Sequence, residues 1–169
     1  MSDRQKLRQL VLSALFAAAI AVMTAYLLHI PIPTGGYIHL GDTLLYLAAC
    51  LLPTPYAVGA AAVGGGLADL LTAPVWALPT VLIKAMLTLL FTSKGHKILV
   101  PRNMAAVFGA AVLSPAAYGL AACLLMGGVY AFLPQFLGTL VQGVGSGVLF
   151  WVLALALDRA DIKARLSAV

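Results

Sequence analysis

The segment GGGLADLLTAPVWALPTVLIKAMLTLLF, residues 64–91, holds the end of one apolar helix, a short turn around Pro74 and Trp76, and most of a second helix. Two ionisable groups, Asp69 and Lys84, sit inside it among hydrocarbon side chains. A charge near the centre of a bilayer is costly, so it pairs, faces a cavity or binds something. The rest of the chain is arranged to surround these two residues.

Composition supports a membrane setting. The 169 residues are 63% hydrophobic and 9% charged, against roughly 25% charged in soluble domains. Mean hydropathy is +1.05. Glutamate is absent, and the five acids are Asp3, Asp42, Asp69, Asp158 and Asp161. The net charge of +5 does not indicate nucleic acid, because the basic residues flank apolar runs and form no basic face. Cys50 and Cys123 lie in apolar runs that place them near opposite faces of a bilayer, so they read as free buried thiols. No metal-ligand spacing is present, and no cofactor is called for. The first apolar run is too long for a signal-peptide core and is read as a mature span.

Working outward, residues 1–8 form a basic, amphipathic lead-in. Apolar spans follow at 10–28, 40–52, 56–71, 76–91, 105–126 and 133–157. A loop rich in Pro and Gly separates the first two. Some runs fall short of the ~20 residues a perpendicular span needs, so their ends are expected to reach into the flanking loops. Long unbroken apolar runs without alternation select helices over a barrel. The expected fold is therefore an all-α integral membrane protein, a six-transmembrane-helix bundle making one domain over residues 1–169. Arg4, Lys6, Arg8, Lys94, Lys97, Arg102, Arg159, Lys163 and Arg165 then all fall on one side. The positive-inside rule makes that side, and both termini, cytoplasmic.

This topology sets the depth of each polar residue. Lys84 lies about two turns, ~12 Å, below the outer surface. Trp76, Thr80, Lys84 and Thr88 are spaced four apart and share a face. Ser114 and Tyr118 occupy the outer half of the fifth span. Gln135, Thr139, Gln142 and Ser146 form one stripe on the sixth. His39 and Asp42 open the second span, and Tyr37 precedes them. Polar groups of several helices converge on one outward-facing level, which describes a cavity for a small, polar, aromatic ligand. The substrate-binding candidates are Asp69, Lys84, Tyr118, Gln142, Trp76, Thr80, Gln135, His39, Asp42 and Tyr37.

Plainer readings stand beside these. Asp69 and Lys84 could form an ion pair bracing a helical hairpin, and Asp42, after Gly41, could cap its helix. Trp76, Tyr37 and His39 could be interfacial side chains, and Gln135 could be solvated. Ala14, Ala17, Ala18 and Ala21 give the first span a smooth face, suited to internal packing or to docking another membrane subunit. The glycines at 64–66 read as an internal close contact beside Asp69.

With IHLGD at 38–42, GLADL at 66–70 and the dipeptide Ile83-Lys84, the chain resembles the substrate-binding S components of energy-coupling factor (ECF) vitamin transporters. The resemblance covers nearly the whole chain. Ala14 with Ala18, and Ala17 with Ala21, are similar to that family's AxxxA contact motif. Asp69 and Lys84 fall at family motif positions. The resemblance implies a transmembrane coupling subunit and two ATPases as partners, a vitamin as ligand, and a prokaryotic plasma membrane as location. It also implies that residues 31–38 close over the ligand and that the subunit topples in the membrane to release it inward. The members most alike carry pyridoxine, hydroxymethylpyrimidine or related heteroaromatic precursors, and riboflavin members share the HLGD region. No phosphate-binding loop of the form GxxxxGK[ST] is present, so ATP hydrolysis belongs to partners. Neither HExxH nor GxSxG occurs, and no enzymatic role is expected. The competing function is a small self-sufficient transporter using an Asp69–Lys84 pair as a proton-coupled switch.

Overall fold

The computed structural model describes residues 2–27, 29–31 and 37–168, the side chains of 166–168 apart. It is built of helices: α1 (Asp3–Ala25), α2 (Asp42–Leu51), α3 (Thr54–Thr72), α4 (Ala77–Thr88), α5 (Pro101–Met126), α6 (Phe132–Arg159) and a terminal α7 (Ile162–Ala168). Single 3-10 turns, Pro74–Trp76 and Val129–Ala131, lead into α4 and α6. Between α1 and α2 lies a minimal antiparallel pair, β1 (Ile30–Pro31) and β2 (Tyr37–Ile38), with Ile30 opposite Ile38. The intervening residues 32–36, the centre of the loop expected to close over a ligand, lie outside the described residues.

Local chemistry sets the helix ends. Ser2 and Gln5 form a reciprocal capping box at the start of α1, satisfying two N–H groups that a helix start leaves open. The basic lead-in is therefore the first turns of α1, not a separate segment. Pro53 ends α2 and Pro101 opens α5, because proline cannot continue a helix but tolerates its first turn. Gly127 closes α5 with φ 70°, a left-handed conformation that glycine adopts without a steric penalty.

The helices Asp3–Ala25, Pro101–Met126 and Val129–Arg159 are long and apolar enough to cross a bilayer, and Asp42–Leu51 and Pro74–Thr88 are shorter apolar helices. Of the runs shorter than ~20 residues, 56–71 extends at both ends into α3 (Thr54–Thr72), whereas the expected extension fails for α2, which has 10 residues, and α4, which has 12. Position explains α2. Residues 45–50 are all buried, and the helix touches α1, α3, α4 and α6; a helix that is apolar all round belongs in an interior. Around it the usual order of polarity is inverted. Leu10, Leu15, Phe108, Leu124, Val141 and Val152 face outward, while Thr24, Asp42, Asp69, Lys84, Gln142 and Ser146 are buried. That is the arrangement of a multi-pass membrane protein, whose solvent is hydrocarbon.

The three glycines expected to permit close contact do so on two sides. The most extensive pairings run α1 against α3, α3 against α4, and α5 against α6. A Cβ at Gly64 would stand 2.7 Å from the Ala17 carbonyl oxygen, and one at Gly66 would stand 2.6 Å from Val81 Cγ2. One at Gly65 would meet Thr80 Cγ2 at 3.0 Å and Lys84 Cγ at 3.1 Å. The triplet is thus what lets α1 and α4 lie against α3 at once. Ala17 is buried in that contact, whereas Ala14 and Ala18 are exposed and Ala21 is half-buried. Of the two uses open to the alanine stripe, Ala17 serves internal packing, while Ala14 and Ala18 stay on the outer face of α1. Cys50 and Cys123 are free.

Gly64→Ala forces backbone apart and should cost about 1–3 kcal/mol, the range for overpacking. Gly59 has no atom within 4 Å of a would-be Cβ, so Gly59→Ala should be neutral or gain up to about 1 kcal/mol. Thermal unfolding of the two variants in detergent measures the contrast.

Candidate functional site

The ends of α1, α3 and α5 and the starts of α2, α4 and α6 meet at the end of the bundle opposite the chain termini. There a hollow of ≈ 370 Å³, its open mouth included, is lined by Thr24, Tyr37, His39, Asp69, Trp76, Thr80, Tyr118, Gln135, Thr139 and Gln142. Eight of the ten residues expected to contact a ligand are in that set. Thr24 and Thr139 are additions. Thr139 lies on the polar stripe of α6, while Thr24 lies one heptad beyond Ala17 on the buried face of α1, a signal that helical spacing contained.

Asp42 and Lys84 do not line the hollow; they lie behind its wall, each 2% exposed. The Lys84 ammonium donates to Asp42 Oδ1. Gln142 Nε2 donates to the other carboxylate oxygen at 2.8 Å, and Lys84 Nζ lies 5.3 Å from the centre of the Tyr118 ring. Two expectations are corrected here. Lys84 pairs with Asp42, not with Asp69. Asp42 does not cap α2, because the cap position is Gly41 and makes no side-chain bond. The reason is shared: α2 is short and starts inside the bundle, so an acid in its first turn meets the α4 lysine directly. Neither residue is exposed to lipid, and neither charge is left bare.

Asp69 has a different partner, accepting a hydrogen bond from the Tyr37 hydroxyl. This ties the end of α3 to β2. Tyr37 also stacks on His29, with ring centres 3.9 Å apart, which gives His29 a place that sequence reasoning did not assign. Burial first, and then the Asp69 carboxylate, push the Tyr37 phenol well above its ordinary range. His39 is 6% exposed and its Nδ1 accepts the Gly41 N–H at 3.0 Å. Burial, and then Lys84, pull its imidazole down to about 3. It is therefore neutral, with its proton on Nε2. A buried neutral histidine leaves stability intact above the unfolded value of about 6.5 and erodes it as pH falls from there toward 3. Gly41 is needed beside it, since a Cβ would fall 2.0 Å from Thr24 Oγ1.

The remaining walls are aromatic and amide. Trp76 and Tyr118 have ring centres 6.0 Å apart, and the Tyr118 and Thr80 hydroxyls share a hydrogen bond of 2.8 Å. Gln135 is buried, not solvated, and donates to Thr139 Oγ1 at 3.2 Å. The Trp76 indole N–H is buried and finds no acceptor among the described residues. A buried donor without a partner is costly, and an acceptor on a bound molecule would relieve it. No cluster of metal-ligating side chains occurs among the described residues.

A multi-pass membrane protein whose polar and aromatic side chains converge on one hollow, with a buried ion pair behind its wall, has the form of a small-solute binder. Residues 4–159 match the family described as ECF-type riboflavin transporter, S component. The chain belongs to that family and is a substrate-binding subunit of an ECF importer, which works in vitamin uptake with an energy-coupling module. No curated protein is significantly similar to the chain.

Lys84→Met strands the Asp42 carboxylate and should cost about 3–5 kcal/mol. The double variant Asp42→Asn/Lys84→Met removes both charges and should recover most of that loss. Unfolding curves in detergent read the difference.

Proposed function

We propose that the chain forms one helical domain over residues 1–169 with α1 to α6 crossing the membrane, both termini cytoplasmic, and the hollow opening to the outside. The support is charge. Every lysine and arginine except Lys84 lies at the end of the bundle opposite the hollow, and basic residues stay on the cytoplasmic side. In a prokaryotic plasma membrane the hollow then samples the medium. We further propose that it captures a heteroaromatic vitamin or precursor of the pyridoxine or hydroxymethylpyrimidine kind. The observation that carries this is the Trp76 indole N–H, buried and without an acceptor. It stands in a wall shared with Tyr118, next to the amides of Gln135 and Gln142. A flat ring with nitrogen or carbonyl acceptors on its edge satisfies both the aromatic faces and the donors.

Riboflavin is the second reading. The matching family's description favours it, and the same walls suit a flavin ring. Uptake by this chain alone, driven by an Asp69–Lys84 proton switch, loses its basis because those residues are not paired. The subunit carries no chemistry of its own in this scheme. It delivers its ligand by reorienting against a transmembrane coupling subunit, with two ATPases supplying the energy. The exposed Ala14 and Ala18, with Ala21 at their edge, offer that subunit a smooth face on α1, where small side chains permit close helix contact.

Mass spectrometry of small molecules retained through purification should find one heteroaromatic vitamin in stoichiometric amount. A flavin there selects the second reading, and no retained or added heteroaromatic ligand would reject both. Trp76→Phe keeps the ring and loses the donor, so affinity for the retained vitamin should fall about tenfold; an unchanged affinity removes the indole N–H from the site. Ala18→Trp should leave binding intact and abolish uptake in cells that supply the coupling module. Normal uptake in that variant would place docking elsewhere.

A further inference from the structure

Four residues on four helices make the polar level beside the hollow: Asp42 on α2, Lys84 on α4, Tyr118 on α5 and Gln142 on α6. One helical turn farther from the hollow, each helix places a hydroxyl on the same face: Tyr46, Thr88, Ser114 and Ser146. The step is four residues every time, forward on α2, α4 and α6 and backward on α5, whose chain runs the other way. A second polar layer therefore lies about 6 Å below the first, and none of its residues is more than 2% exposed. The Thr88 hydroxyl donates back to the Lys84 carbonyl at 2.7 Å. Those of Tyr46, Ser114 and Ser146 find no partner among the described residues. Lys84 adds to the deficit. An ammonium carries three N–H donors, and among the described residues its acceptor is Asp42 Oδ1, with the Tyr118 ring alongside. Below the hydroxyls the bundle closes. The rings of Tyr46, Phe91 and Phe150 pack on one another, with centres 4.8, 5.8 and 6.0 Å apart.

We propose that the hydroxyl layer is a binding site for ordered water, which accepts from the Lys84 ammonium and links it to Ser114, Ser146 and Tyr46. Buried hydroxyls and ammonium hydrogens without partners are costly, and a buried water typically makes about three hydrogen bonds to such groups. The surroundings select water over an ion. The ammonium repels a second cation, and the Asp42 carboxylate repels an anion. Hydroxyls donate and accept, as water does. The vitamin cannot supply these contacts, because Lys84 and Asp42 do not line the hollow and the hydroxyls lie a turn deeper. The aromatic trio below closes the layer on its other side, so the water is held and not passed through. It completes the shell of the ion pair and braces the wall of the vitamin site from behind.

The inference does not depend on which vitamin is carried. X-ray footprinting of the full chain in detergent tests it, because radiolysis turns bound water into hydroxyl radicals that oxidise the side chains beside it. Tyr46, at 0% exposure, should be oxidised in the unaltered chain, with Tyr130, at 71%, reporting on bulk solvent. Ser114→Ala/Ser146→Ala removes two of the anchors and should lose most of the Tyr46 label while keeping that of Tyr130. An unlabelled Tyr46 in the unaltered chain overturns the proposal, and that result stands even if the variant fails to fold. Full Tyr46 label in the folded variant overturns it too. Thermal unfolding gives a second readout, of opposite sign for a wet and a dry layer. Ser146→Ala and Tyr46→Phe should each lower Tm by about 2–4 °C, the shift that one lost hydrogen bond gives a chain of this size. In a dry layer the same variants remove an unpaired hydroxyl, so an unchanged or higher Tm in both also overturns the proposal.

Discussion

The buried contact between the Lys84 ammonium and the Asp42 carboxylate organises the rest of the bundle. In water such a pair is nearly free to separate. In an apolar interior, separation leaves two bare charges, so every arrangement that parts α2 from α4 is penalised. Gln142 on α6 holds the second oxygen of Asp42 and adds a third helix to the constraint. The Tyr118 ring of α5 stands 5.3 Å from the ammonium. Four helices are thereby registered at one level. The hollow sits against that level because the polar groups not consumed by the pair are the ones left to line it.

Close approach makes this register reachable. Hydrocarbon solvent gives helices no hydrophobic incentive to associate, so contact area and backbone proximity do the work. The glycines at 64–66 and Ala17 supply it between α1, α3 and α4, and Gly41 supplies it where the chain passes Thr24. The small residues and the charged residues are thus parts of one device: the first brings the helices near enough for the second to meet. A capture subunit needs such a frame, because an aromatic wall and amide donors select a ligand only if they are held in place before it arrives.

The tie between Tyr37 and Asp69 belongs to the same logic at the mouth of the hollow. It joins β2 to the end of α3 through the hydrogen bond from Tyr37 to the Asp69 carboxylate, with His29 stacked behind the phenol. A hydrogen bond to a charged group contributes about 1.5–3 kcal/mol, and a contact of that size can be exchanged for one that a ligand offers.

The membrane class, the helical fold, the convergence of polar groups and eight of the ten expected pocket residues were legible in the chain itself. Bilayer physics leaves few choices, since backbone groups must be satisfied internally and ionisable groups must be placed with purpose. The short lengths of α2 and α4, which alanines of α1 pack inward and the identity of the ion pair were not. Asp69 and Lys84 stand together in the sequence, and Asp42 is 42 residues from its lysine. Local pattern records which side chains share a helix face, but not which helix lies opposite. That was decided by tertiary packing, because a short central α2 brings its first-turn acid to Lys84 and leaves Asp69 to the tyrosine of the neighbouring hairpin.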